Sequence, residues 1–197
     1  MLPTATPTPT RTATAACVDF TPVASADDGG VDAQGANYAT LAPVHVDTTN
    51  PALHVIRAFS NPAFTVSVAL VRFDTSTLPD NANVNSAAFV VFPTQVVSEA
   101  PVRSFQGEWY SANNWPIDAG DWTLAPASTA FSAPLNTITP NASNSIALSN
   151  LSNVNVTGST GLRLSISGGQ PSGPSQMVFA GRDNGAQVPK LHVCFNP

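Results

Sequence analysis

The sequence predicts an all-β protein, an antiparallel β-sandwich of the jelly-roll kind with an extended Thr/Pro-rich segment at its N-terminus. Three observations favour this class. Of the 197 residues, 43% are hydrophobic and only 10% are charged, whereas exposed helix faces are usually rich in charged residues. The chain also has 18 prolines and 12 glycines, which suit many short strands joined by turns. Finally, apolar and polar residues alternate over short segments.

The clearest of these segments is Phe64–Phe73, whose side chains alternate between two faces as in a β-strand. Further predicted strands are 44–46, 52–59, 87–92, 144–148, 162–167, 176–180 and 191–195. Between the last two lie Asn184 and Gly185, residues that accept the positive φ angles of a tight hairpin or small loop. Helix is expected only as a turn near 149–153.

The N-terminal segment 1–16 differs in composition from the rest of the chain. Residues 3–16 combine Thr with Pro and contain no large apolar side chain, so they cannot form a core. They are predicted to be a linker, with candidate O-glycosylation at Thr4, Thr6, Thr8, Thr10, Thr12 and Thr14. The two-residue period of Thr also fits a strand that adds to the sheet of another copy of the chain. Residues 17–197 are predicted to form one domain.

Charge and hydropathy exclude several partners. A formal net charge of -5 does not suit a phosphate backbone, so nucleic acid is not expected as a partner. No apolar run has the length of a membrane span, and membrane insertion is not expected. Because Met1 and Leu2 run directly into Pro3, no signal peptide is expected here, and the chain is interpreted as a processed piece of a larger protein.

The two cysteines lie at opposite ends of the predicted domain, Cys17 at its start and Cys194 near its end. Both lie in strand-like segments, and the terminal strands of a sandwich often run side by side. A disulfide between them is therefore predicted, although two buried thiols would also fit the sequence. Such a bond would stabilise the fold by about 4 to 5 kcal/mol in the chain-entropy model, and it implies an oxidising, extracellular location.

Several segments carry a family resemblance. Ala69–Phe92, which reads ALVRFDTSTLPDNANVNSAAFVVF, resembles a strand, loop and strand of the DNRLRE domain family, which overlaps with alginate-binding carbohydrate-binding modules. Weaker similarities to the same family occur at Gly35–Val46, Glu108–Pro116, Asn144–Gly168 and Phe179–Val193. The resemblance is patchy and spans about 22–195.

The resemblance implies a secreted β-sandwich module without a catalytic centre. It also implies that Trp109, which stands where the family keeps a Trp, belongs to the core. Alginate binders of the family are expected to use basic residues against uronate carboxylates. Here the acidic balance and the single Lys190 favour a neutral glycan, a protein contact or a structural role instead.

The least regular stretch, 99–130, contains all three tryptophans and several polar side chains. Aromatic rings can stack on the apolar faces of sugars, while amides and carboxylates bond to hydroxyls. The alternative is that the rings cover one end of the sandwich. The predicted ligand-binding residues are Trp109, Tyr110, Asn113, Asn114, Trp115, Asp118, Asp121 and Trp122.

An acidic, Gly-rich loop offers a candidate Ca²⁺ site at Asp27, Asp28 and Asp32, because hard cations prefer oxygen ligands. The alternative is a solvated acidic loop. No other cofactor is expected.

Two functions compete. The first is a non-catalytic extracellular module that contacts a glycan or a cell-surface component. The alternative is a structural subunit of an extracellular filament or coat that assembles with copies of itself through residues 3–16. An enzyme is not expected, because the sequence has no GxSxG elbow, no phosphate-binding P-loop and no reactive-cysteine context.

Overall fold

The computed structural model describes residues 15–196. The predictions for Thr4 to Thr14, as glycosylation sites or as part of a linker or intersubunit strand, lie outside the described residues. The strands are β1 (Ala16–Phe20), β2 (Asp28–Gly35), β3 (Ala42–Asp47), β4 (Ala52–Ser60), β5 (Ala63–Asp74), β6 (Asn83–Val91), β7 (Pro93–Val97), β8 (Ser104–Tyr110), β9 (Ser128–Pro134), β10 (Asn144–Ala147), β11 (Ser159–Ile166), β12 (Ser175–Ala180) and β13 (Lys190–Asn196).

Short 3-10 helices connect some of the strands. They are Ser25–Asp27, Tyr38–Thr40, Ala112–Asn114, Ala119–Trp122, Leu135–Thr137, Leu151–Asn153 and Arg182–Asn184. Among the described residues, no helix has both the length and the apolar character that crossing a membrane requires.

The strands form two antiparallel sheets, which confirms the predicted all-β sandwich. The small sheet has the order β1-β13-β6-β10. The large, nine-stranded sheet has the order β7-β12-β4-β5-β11-β8-β9, with β2 paired to β5 and β3 paired to β2.

Strand β5 organises the large sheet. β2 pairs with residues 64–71 of β5 and so occupies one of its two edges. The other edge is shared, because β4 pairs with residues 63–67 and β11 with residues 69–74. The large sheet therefore branches at the middle of β5.

The main core lies between the two sheets. The small sheet contributes Phe89 and Leu191, both fully buried, and the large sheet contributes Phe105 and Phe179. The ring of Phe131 stacks on Phe89 at a centroid distance of 6.0 Å and meets Phe105 edge-on at 5.0 Å. These aromatic rings fill the space between the inward faces of the two sheets.

The outer face of the large sheet has an apolar cluster of its own. It contains Val31, Val68, Leu70, Tyr110 and Ile117, with Val46, Trp115 and Trp122 packed against it. The central strand β5 is consequently buried on both faces, and the segment that follows β8 serves as its outer cover.

The predicted disulfide between Cys17 and Cys194 is confirmed. The two residues are register partners on β1 and β13, with a Cα–Cα distance of 4.0 Å and a sequence separation of 177. The bond ties the first described strand to the last.

Several elements differ from the sequence-based expectation. The acidic segment predicted as a loop forms β2, and the stretch expected to be irregular contains β8 and β9. β12 and β13 belong to different sheets, so the segment around Asn184 and Gly185 is a crossover rather than a hairpin. In β2, the carbonyl of Asp47 lies 2.5 Å from the position that a Cβ on Gly29 would take, so only glycine fits there.

We predict that Gly107→Ala destabilises the protein. A Cβ at Gly107 would lie 2.0 Å from Cε1 of the buried Phe131 ring, and such overpacking costs about 1 to 3 kcal/mol. Urea unfolding would measure the loss. Gly169→Ala is the matched control, because no atom lies within 4 Å of its added Cβ. Equal unfolding midpoints for the two variants would contradict the prediction.

Candidate functional site

The segment between β8 and β9 folds back onto the outer face of the large sheet and is held there by a buried carboxylate. The hydroxyl of Tyr110 donates to Oδ1 of Asp121 at 2.6 Å, and the backbone N–H of Asp118 donates to Oδ2 at 2.7 Å. Burial and the bond to Asp121 raise the pKa of Tyr110 above its ordinary value. Asp121 itself is 1% exposed, so three of the predicted ligand-binding residues hold the segment in place.

Two of the predicted tryptophans serve packing. Trp109 is 1% exposed and its Nε1–H donates to the carbonyl of Ser149 at 2.8 Å. The ring of Trp115 packs on Gly161, where an added Cβ would lie 3.2 Å away, and the guanidinium of Arg72 lies 5.3 Å from the ring centroid. Trp109 is thus enclosed in the core, and Trp115 is half-buried against the outer face of the large sheet.

The two predicted asparagines lie in the 3-10 turn that follows β8. The hydroxyl of Ser111 accepts from the backbone N–H of Asn113, which caps the turn. The side chain of Asn113 is exposed and that of Asn114 is half-buried.

Asn113 borders an end groove of about 610 Å³ at one end of the large sheet. The polar aliphatic residues that line this end groove are Arg72, Ser111, Asn113, Asn153, Asn155, Ser159 and Thr160. Its aromatic neighbours Trp109 and Tyr110 are buried, so the end groove offers amides and hydroxyls without an aromatic platform.

A second groove, the sheet-face groove, lies on the outer face of the large sheet and has a volume of about 420 Å³. Its floor is formed by side chains of β5, β8 and β11. Trp122 stands at one side, and the 3-10 turn Tyr38–Thr40 stands at another. The polar and aromatic side chains in its lining include Tyr38, Arg57, Gln106, Glu108, Trp122 and Arg163.

Arg163 joins the groove floor to the covering segment. Its Nε and Nη2 donate to Oε2 of Glu108 at 3.1 and 2.9 Å. Its Nη1 donates to the carbonyl of Leu124 at 2.5 Å. The pair neutralises Glu108 and anchors the turn that carries Trp122.

Arg57 is the groove arginine whose positive charge is not paired with a carboxylate of the described chain. Its Nε donates to the carbonyl of Ile166 at 2.7 Å, and its Nη1 donates to the hydroxyl of Tyr38. Within residues 15–196, the ion pairs of arginine and lysine involve Arg72, Arg103, Arg163 and Lys190, so Arg57 lacks a carboxylate partner there. Burial lowers the pKa of Arg57. Its half-buried guanidinium makes the sheet-face groove locally positive in an acidic protein.

Of the residues that line this groove, the sequence analysis named Trp122 as a ligand-binding candidate and missed Tyr38, Arg57, Gln106 and Arg163. One signal was present: in 104–110, Gln106 and Glu108 alternate with Phe105 and Gly107 as in a strand with one polar face. Arg57 and Tyr38 come from distant segments, and tertiary structure brings them to the groove.

The three predicted Ca²⁺ ligands are not brought together. Asp27 binds Arg72 through Oδ1 at 2.8 Å, Asp28 accepts from the backbone N–H of Arg182 at 2.6 Å, and Asp32 bonds to His54 at 3.1 Å. In the described part of the chain, one group of three metal-ligating side chains lies within 4.8 Å, namely Cys17, His192 and Cys194. Its two sulfurs form the disulfide.

Comparison with known proteins adds no assignment to this geometry. No protein-family model matches the chain, and no curated protein sequence matches it. The functional interpretation therefore depends on the grooves themselves.

We predict that Asp28→Asn stabilises the protein at neutral pH. Asp28 is 2% exposed, and burial raises its pKa from 3.8 to about 6. Because the folded state binds the proton of Asp28 more tightly than the unfolded state, protonated Asp28 favours folding. This contribution to the free energy of unfolding is fully present below pH 3.8 and is lost as the pH rises through about 6. The loss at neutral pH is about 2 to 3 kcal/mol.

Urea unfolding of the wild type and of Asp28→Asn at about pH 4 and about pH 7.5 measures this change in stability. The variant should gain stability over the wild type at the higher pH, and Asp80→Asn, which changes an exposed carboxylate, is the control. A variant no more stable than the wild type at the higher pH would contradict the prediction. Stabilisation of the wild type by CaCl₂ at neutral pH, lost in Asp28→Asn, would instead support a cation at Asp28.

Proposed function

We propose that the chain is a non-catalytic, extracellular binding module that holds a glycan in the sheet-face groove. The observation that carries the proposal is the presence of a half-buried Trp122 and of Arg57, without a carboxylate partner in the described chain, in one open groove of about 420 Å³. Aromatic rings stack on the apolar faces of sugars, and planar guanidinium and amide groups bond to ring oxygens.

Charge in the groove bears on the class of glycan. Because the Arg163–Glu108 pair is internally neutral, Arg57 supplies the excess positive charge. A guanidinium recognises a carboxylate through two parallel hydrogen bonds. We therefore propose a sugar chain with acidic residues, whereas the overall charge of -5 suggested a neutral glycan.

Affinity gel electrophoresis with a neutral glucan and with polygalacturonate tests this proposal. We expect retardation by polygalacturonate, reduced about tenfold in affinity by Trp122→Ala through loss of the stacking platform. Arg57→Gln should weaken binding to polygalacturonate more than any binding to the glucan.

The matched control is Asn113→Ala, which alters the end groove and leaves the sheet-face groove intact. Urea unfolding of each variant separates loss of fold from loss of binding. Absence of retardation by both polysaccharides, or loss of binding in Asn113→Ala with retention in Trp122→Ala, would contradict the proposal.

The second proposed function, a structural subunit that assembles through its N-terminus, is favoured by the position of β1. This strand is at the edge of the small sheet, pairs with β13, and is exposed at Ala16, Cys17, Val18 and Asp19. An exposed strand edge pairs readily with another chain.

For this function we expect the full chain to form oligomers in light scattering and a chain that lacks residues 1–14 to be monomeric. The shortened chain keeps β1, so its disulfide and fold serve as internal controls. Identical masses for the two proteins would contradict the assembly function.

A further inference from the structure

The outward face of the small sheet carries a row of reactive side chains around the disulfide. On β13, Leu191 and Val193 are fully buried in the core, so the alternate residues His192 and Cys194 face outward. Their register partners on β1 are Asp19 and Cys17. The disulfide and the Asp19–His192 pair therefore lie two rungs apart on the same face of one ladder, with the Val18–Val193 pair between them.

Hydrogen bonds connect these rungs into a relay. Nε2 of His192 lies 3.4 Å from Sγ of Cys194, and Nδ1 of His192 lies 2.6 Å from Oδ1 of Asp19. Lys190 pairs with the other oxygen of Asp19 at 3.5 Å. The bond to His192 lowers the pKa of Asp19 below its ordinary value, so this carboxylate is ionised at neutral pH and holds the Nδ1–H of the ring.

The two sulfurs differ in surroundings. Cys17 is exposed, whereas Cys194 is half-buried and has the imidazole beside it. A thiol leaves faster when its thiolate is stabilised, and a neighbouring imidazolium provides that stabilisation. An outside thiolate therefore reaches the sulfur of Cys17 more readily, and the sulfur of Cys194 is the better leaving group.

We propose that the Cys17–Cys194 bond is a directional site of thiol–disulfide exchange, in which a small-molecule or protein thiol attacks Cys17 and His192 assists the departure of Cys194. The attacking thiolate forms a new S–S bond to Sγ of Cys17. The Cys17–Cys194 bond breaks and its electron pair goes to Sγ of Cys194. The proton that Sγ of Cys194 takes up passes through Nε2 of His192, while Nδ1 of the ring stays bonded to Asp19.

A second equivalent of the same thiol completes the reduction. It attacks the outside sulfur of the mixed disulfide and releases Cys17 as a thiol, so that two thiols become one disulfide and the protein gains two electrons and two protons. Between the two steps, the mixed disulfide on Cys17 is a protein modification with a defined position. Since β1 and β13 also pair through their backbones, the sheet does not depend on the bond alone.

The test uses the folded full chain with glutathione, followed by rapid alkylation and peptide mass spectrometry. We expect glutathione on Cys17 and the alkylating group on Cys194, with the reverse pattern at least about tenfold rarer. This comparison needs no variant. Glutathione on Cys194, equal labelling of both cysteines, or no reaction while the protein stays folded would overturn the proposal.

His192→Asn tests the part played by the imidazole. Reaction with glutathione should slow by about tenfold and lose its preference for Cys17, because Cys194 no longer has the imidazole beside it when it leaves. His45→Asn is the matched control, since His45 is an exposed histidine that also faces a carboxylate, Asp32, at 3.6 Å. An unchanged rate and unchanged labelling in His192→Asn would overturn the role of the imidazole, and a urea midpoint for each oxidised protein would identify a change in folding.

Discussion

Burial of strand β5 on both faces is the constraint on which the rest of the structure depends. Its inward residues Ala69, Val71 and Phe73 are fully buried in the core between the sheets, while Val68 and Leu70 belong to the outer cluster. Apolar surface of this extent requires cover on the outer side. The segment between β8 and β9 supplies that cover, and the Tyr110–Asp121 bond holds it in place.

The sheet-face groove is the part of this outer face that the cover leaves open. Val66 and Val68 lie in its floor at 4% and 7% exposure, and charged side chains of β4, β8 and β11 surround them. The charges are unequally satisfied, because Arg163 is paired with Glu108 and Arg57 bonds to a carbonyl and a hydroxyl. A protein with a net negative charge thus has a locally positive group, the Arg57 guanidinium, in an open groove, which net charge alone would not indicate.

The two proposed sites lie on opposite surfaces of the sandwich. The groove is on the outer face of the large sheet, and the disulfide with His192 and Asp19 is on the outer face of the small sheet. The aromatic core of Phe89, Phe105 and Phe131 separates them. The proposed binding groove and the proposed exchange site are therefore separated by the core.

The sequence by itself determined the fold class, the strands with clear alternation and the disulfide. The alternation is a local property of each strand, and the two cysteines lie in strand-like segments at the two ends of the domain. It did not reveal β2, where Gly29 and Gly30 weaken the strand pattern, nor β8, where Gly107 stands at one of the inward positions in place of a large apolar residue. Only the tertiary structure decided that Trp115 packs on the outer face of the large sheet and that Arg57 joins Trp122 in a groove. Those outcomes depend on which distant strands become neighbours. The free energy that favours one strand order over another comes from contacts throughout the core and not from any one segment.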